Sequence, residues 1–157
     1  MNRERAIGTL GTLGAVALLG IPAPSGAKPS PHAVIKILGP QHRQTGPDRL
    51  AHAAFVPSEI EVPLNQLVTV SVISDDLEIH SITAPGLDVD QKIASAVKRG
   101  GKIVPVTTTF TFTAYGSGVY RWYCRYACDM GTRMWSMGTG YTGRGKEGFM
   151  AGRITVV

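Results

Sequence analysis

Thr107-Thr108-Thr109-Phe110-Thr111-Phe112-Thr113 is followed, after Tyr115-Gly116-Ser117-Gly118, by Val119-Tyr120-Arg121-Trp122-Tyr123-Cys124-Arg125-Tyr126-Ala127-Cys128. In the first run Phe110 and Phe112 alternate with threonines. A period of two sends aromatic and hydroxyl side chains to opposite faces of a strand. The Gly-Ser-Gly turn then returns the chain into a second, aromatic-rich strand. Two half-buried strands joined by a glycine turn predict an all-β fold, and the second one ends on a pair of thiols.

Working outward, the same period recurs. Ile60 and Val62, then Val68, Val70 and Val72, alternate with polar residues, and Gly152-Arg153-Ile154-Thr155-Val156-Val157 closes the chain as a strand. Short strands at close spacing predict a Greek-key β-sandwich or barrel. Gln91 to Val97 reads as one or two helical turns. Residues 28–51 are punctuated by Pro and Gly and read as a linker, with a possible first strand at Ala33 to Leu38, so that the folded domain spans 52–157. Six glycines between Gly131 and Gly148, with Met130, Met134 and Met137 nearby, read as a long Gly/Met-rich loop inserted into the fold.

The first 27 residues differ from the rest. Arg3 and Arg5 precede an apolar run from Ala6 to Ile21, followed by Pro22, Pro24 and Ser25-Gly26-Ala27. This is the pattern of a cleaved export signal. As a helix the run spans about 24 Å at about 1.5 Å per residue, shorter than the ~30 Å hydrocarbon layer. A retained N-terminal anchor is the alternative, and only retention would associate the chain with a membrane. Either way the domain is expected outside the cytoplasm, in a periplasmic or similar compartment.

The chain has 157 residues, which suits one domain. Its net charge of +5, with no charge run, excludes the dense basic stripe of a nucleic-acid binder. Two cysteines exclude a four-cysteine zinc site. No phosphate-binding glycine loop opens a helix, and no Ser/His/Asp set has a plausible context. His32, His42 and His52 are expected as solvated loop residues, and Asp88 and Asp90 as surface residues.

The remaining chemistry gathers at strand ends. His80 falls at a strand end within Asp75 to Leu87, Cys124 and Cys128 follow the aromatic strand, and Met150 stands at the start of the last strand. Imidazole, thiolate and thioether together are a ligand set for copper. In an exported protein the two thiols have an alternative fate as a Cys124–Cys128 disulfide.

These residues carry a resemblance. Phe55-Val56-Pro57 through Val62, Val68 to Val72, Asp76 to Pro85 with His80-Ser81, Gly118-Val119-Tyr120, Cys124-x-x-x-Cys128 and Met150-Ala151-Gly152-Arg153-Ile154 together resemble a cupredoxin. In particular they resemble the CuA domain of cytochrome c oxidase subunit II and of nitrous-oxide reductase. The resemblance implies two cysteines bridging two coppers. It assigns His80 and Met150 to the first copper, and the backbone carbonyl of Tyr126 to the second. That family's second histidine has no counterpart here. The position four residues after Cys128 is Thr132, the position three before Met150 is Glu147, and His80 is the last histidine of the chain.

The sequence therefore reads as an exported copper-binding cupredoxin with an altered site, suited to one-electron transfer. One copper on His80, one or both of the thiolates Cys124 and Cys128, and Met150 is favoured; a dinuclear or other metal site would have Glu147 fill the vacant position. A copper carrier using Met130, Met134 and Met137 as accessory Cu(I) ligands is the alternative, as is a metal-free interaction domain. The expected partner is a redox protein or a copper donor or acceptor. Six basic residues against two acidic ones between Arg121 and Arg153 point to an acidic one.

Overall fold

The computed structural model describes residues 30–46, 49–126 and 149–157. The segments read as export signal and as Gly/Met-rich loop lie outside these residues, as do Cys128, Met130, Thr132, Met134, Met137 and Glu147.

The described chain is built almost wholly of strands: β1 (His32–Leu38), β2 (Gln44–Thr45), β3 (Ala51–His52), β4 (Ala54–Val56), β5 (Glu59–Val62), β6 (Leu67–Ser74), β7 (His80–Ala84), β8 (Val89–Ile93), β9 (Val97–Arg99), β10 (Lys102–Val104), β11 (Val106–Thr113), β12 (Gly118–Tyr123) and β13 (Ala151–Val156). One sheet has the order β11-β6-β1-β4 and the other the order β5-β13-β12-β7-β8. Both are mixed, because β1 runs parallel to β6 and β5 parallel to β13. Two short hairpins, β2–β3 and β9–β10, stand apart from the sandwich sheets.

The core fills the space between the sheets. Ile35, Ile37, Val68, Val70, Val72, Phe55 and Phe112 enter from one side, and Val62, Ile82, Trp122, Ile154 and Val156 from the other. The alternation read from the sequence thus sets the inward faces of β6, β11, β12 and β13.

The possible first strand at 33–38 is present as β1, an interior strand of its sheet, with Ile35 and Ile37 essentially unexposed. Its parallel partner β6 lies more than thirty residues away and draws it into the sandwich. One expectation is corrected: residues 91–97 are not helical. β8 pairs antiparallel with β7 from His80↔Ile93 to Ala84↔Val89, and Val97 begins a hairpin. The Gly100-Gly101 turn of that hairpin has positive φ at both residues, 54° and 78°, a conformation that favours glycine.

Trp122 is opposite Gly152 in the β12–β13 register. A Cβ at Gly152 would collide with the carbonyl oxygen of Ser58 and come within 2.6 Å of the indole. Gly152→Ala is therefore expected to destabilise the domain by about 1–3 kcal/mol, the usual cost of overpacking. A lowered denaturant midpoint with an unchanged slope would show it.

Candidate metal centre

Three adjacent strands, β13, β12 and β7, bring the ligand candidates to one end of the second sheet. On β12, Tyr120 and Trp122 face inward, and Cys124 continues their parity two residues on. On β13, Gly152, Ile154 and Val156 share the parity of Met150; on β7, Ile82 and Ala84 share that of His80. Side chains two apart on a strand share a face, so all three candidates lie on the core side of the sheet. His80, Cys124 and Met150 are each 0% exposed. The Cys124 N–H donates to the Met150 carbonyl at 2.9 Å, which ties the two segments together.

Cys124 Sγ lies 3.9 Å from His80 Nδ1 and 3.7 Å from the Tyr126 carbonyl oxygen. The sequence candidates His80, Cys124, Tyr126 and Met150 are thus brought together. The residues that follow the two ligand candidates are also joined. The Arg125 N–H donates to Ser81 Oγ at 2.9 Å, Ser81 and Thr83 hydroxyls are 2.9 Å apart, and Thr83 donates to Asp90 Oδ1 at 2.9 Å. Arg125 Nε closes the circuit on the same Asp90 oxygen at 2.7 Å, and its guanidinium lies 4.6 Å from the Tyr126 ring centroid. This pairing holds the Asp90 carboxyl below the usual carboxylate range.

Behind His80 lies a second polar layer that sequence reasoning missed. Asp76, only 1% exposed, places Oδ2 at 3.6 Å from His80 Nε2. That is an ion-pair distance and too long for a hydrogen bond. Burial disfavours the His80 imidazolium, but Asp76 and Cys124 more than offset it, and the pKa stands at about 9. Burial likewise raises Asp76, while His80, the Glu78 N–H and Arg43 bring it below its ordinary value. The one signal in the sequence was a carboxylate four residues before His80 inside the matching stretch.

His52 was expected in solvent, yet it is 0% exposed, its ring edge-on to Phe149 with centroids 5.5 Å apart. The Phe55 N–H donates to the Phe149 carbonyl at 2.7 Å, so the middle of β4 is bound to the residue before Met150. His32 and His42 are surface residues, bonded to Ser71 and Asp75. Part of the basic rim is balanced. Arg125 pairs with Asp90, and Arg153 lies 3.6 Å from Glu59.

The donor chemistry fits a soft metal ion. Bonds of about 2.0 Å to nitrogen and about 2.3 Å to sulfur together exceed the 3.9 Å between His80 Nδ1 and Cys124 Sγ, so one ion reaches both atoms. Among the described residues no three His, Cys, Asp or Glu side chains are grouped to hold a metal. A site here depends on the mixed set of imidazole, thiol and the neighbouring Met150.

The fold is a cupredoxin-like β-sandwich. Among solved structures the chain is similar to the copper nitrite reductase from Nitrosomonas europaea, with 16% identity over 82% of this chain and 41% of that one, and a TM-score of 0.53. It thus spans about two-fifths of the length of that reductase. It is also similar to a purple cupredoxin from Nitrosopumilus maritimus (20% identity, 80% of this chain and 99% of that one, TM-score 0.39). A third similar structure is the periplasmic domain of cytochrome oxidase subunit II from Bradyrhizobium japonicum (21% identity, 82% and 86%, TM-score 0.41). At these identities the likeness is one of fold. No protein-family model matches the sequence. No curated protein matches it. No helix among the described residues is long and apolar enough to cross a membrane.

Proposed function

We propose that this protein is an exported copper-binding cupredoxin that passes single electrons through an altered CuA-like site. His80, Cys124 and Met150 hold one copper ion in this reading. The observation that carries it is the buried approach of His80 Nδ1 to Cys124 Sγ at 3.9 Å on the core face of the second sheet.

When bound, copper supplies a one-electron couple. The chain's own residues supply the rest. Strands on both sides fix the ligands, so little rearrangement accompanies a change of oxidation state. Burial among Phe55, Trp122 and Phe149 keeps water from the ligand atoms. The Ser81–Thr83–Asp90–Arg125 circuit holds the turn after Cys124 against β7 and β8. Cys128 as a further thiolate and an acidic redox partner complete the reading, and Glu147 in the vacant histidine position belongs to the two-ion alternative.

Loading the exported form with Cu(II) tests it. A four-line EPR hyperfine pattern with an intense thiolate-to-copper absorption band is expected. Seven lines would replace the single ion by a dinuclear pair. Failure to take up copper, with no reactive thiol, would leave the metal-free interaction domain. Ready exchange of Cu(I) to a chelator would favour the carrier.

A further inference from the structure

Asp76 is the least expected charged group in the molecule. A carboxylate this buried stays ionised only if its oxygens are satisfied or paired. Its backbone is held firmly: the carbonyl accepts the Ala96 N–H at 2.7 Å and the Ser74 hydroxyl at 3.2 Å. Oδ1 accepts the Glu78 N–H at 3.2 Å. Oδ2 has no hydrogen-bond partner among the described residues, and neither does His80 Nε2, which faces it at 3.6 Å. Behind Oδ2, Arg43 Nη2 lies at 3.9 Å and also reaches Glu78 at 4.0 Å. Gly39 lets the chain between β1 and Arg43 pass against this layer, since a Cβ there would collide with the Asp75 carbonyl. Arg43, Asp76, His80 and Cys124 thus stand in line from the loop after β1 to the thiol.

We propose that Asp76 is the positioning residue of His80, holding the ring proton on Nε2 so that the Nδ1 lone pair faces the metal position beside Cys124. The inference rests on the copper reading above. A neutral imidazole carries one N–H, and a neighbouring carboxylate draws it to the nearer nitrogen. The other nitrogen is then a ready ligand. The Asp76 charge, partly balanced by Arg43, also favours the more highly charged Cu(II) over Cu(I).

Asp76→Asn in the full chain tests this, since it keeps the shape and removes the charge. Cu(II) affinity should fall about 10-fold or more, with Cu(I) affinity much less affected. A tenfold change in that ratio raises the one-electron potential by about 59 mV. A role confined to stability would lower the melting temperature and leave the ratio in place. A second readout needs no metal. Nitrogen-15 NMR of the metal-free chain, at a pH high enough for the ring to be neutral, should show the Nε2–H tautomer in the wild type and a mixture in the variant. Should Asp76→Asn not fold, Arg43→Gln substitutes for it. It exposes His80 to the uncompensated Asp76 charge and should shift the potential downward. An unchanged Cu(II)/Cu(I) ratio together with an unchanged tautomer overturns the proposal. If the wild type takes up no copper, the copper reading fails, while the tautomer still decides the role of Asp76.

Discussion

Cys124→Ser is expected to abolish the thiolate-to-copper absorption band and to weaken copper binding by more than about 100-fold, beyond the range for losing an outer-shell partner. The reason is the softness of sulfur. A hydroxyl does not ionise at neutral pH and is a hard donor, whereas Cu(I) and the Cu(II)–thiolate pair depend on a polarisable ligand. The fold should survive the change. Serine is close in size, and its buried hydroxyl has the Tyr126 carbonyl and His80 Nδ1 within reach of the present sulfur, at 3.7 and 3.9 Å. An unfilled hydrogen bond would cost about 1–3 kcal/mol, which most domains of this size tolerate. Absorption and copper titration of folded Cys124→Ser are the measurements. An unaltered band would transfer the thiolate role to Cys128.

Trp122→Ala should destabilise the domain by about 3–5 kcal/mol, the usual range for removing a buried large aromatic. Trp122 is 0% exposed and stacks obliquely on Phe55 with centroids 4.6 Å apart. Phe55 in turn meets the His80 ring edge-on at 6.4 Å. Removing the indole would open a cavity two residues before Cys124 and loosen the wall behind His80. Trp122→Phe should cost much less. The indole Nε1 has no hydrogen-bond partner among the described residues, so phenylalanine removes an unsatisfied buried donor along with part of the ring. Urea unfolding of both variants would compare the two. Equal losses would mean that the indole N–H is satisfied and that ring volume alone is not decisive.

Much of the fold was legible because strand alternation is local. The spacing of Val68, Val70 and Val72 puts them on one face, and they are the inner face of β6. Residues 91–97 misled because a short polar stretch carries little periodicity, and pairing with β7 decided its conformation. His52 misled for a different reason. Its neighbours in sequence are loop-like, and its burial comes from Phe149, almost a hundred residues away.

The division at the candidate metal centre follows the same physics. The sequence by itself determined the donor types and their place at strand ends: His80, Cys124 and Met150. It also determined that no imidazole follows His80. Only the tertiary structure decided that these strands lie side by side, and that Asp76 and Arg43 stand behind His80 rather than in solvent. A strand end is written in neighbouring residues. The burial of a carboxylate against a ring depends on loops brought together by parallel pairing across the chain, and no local pattern records it.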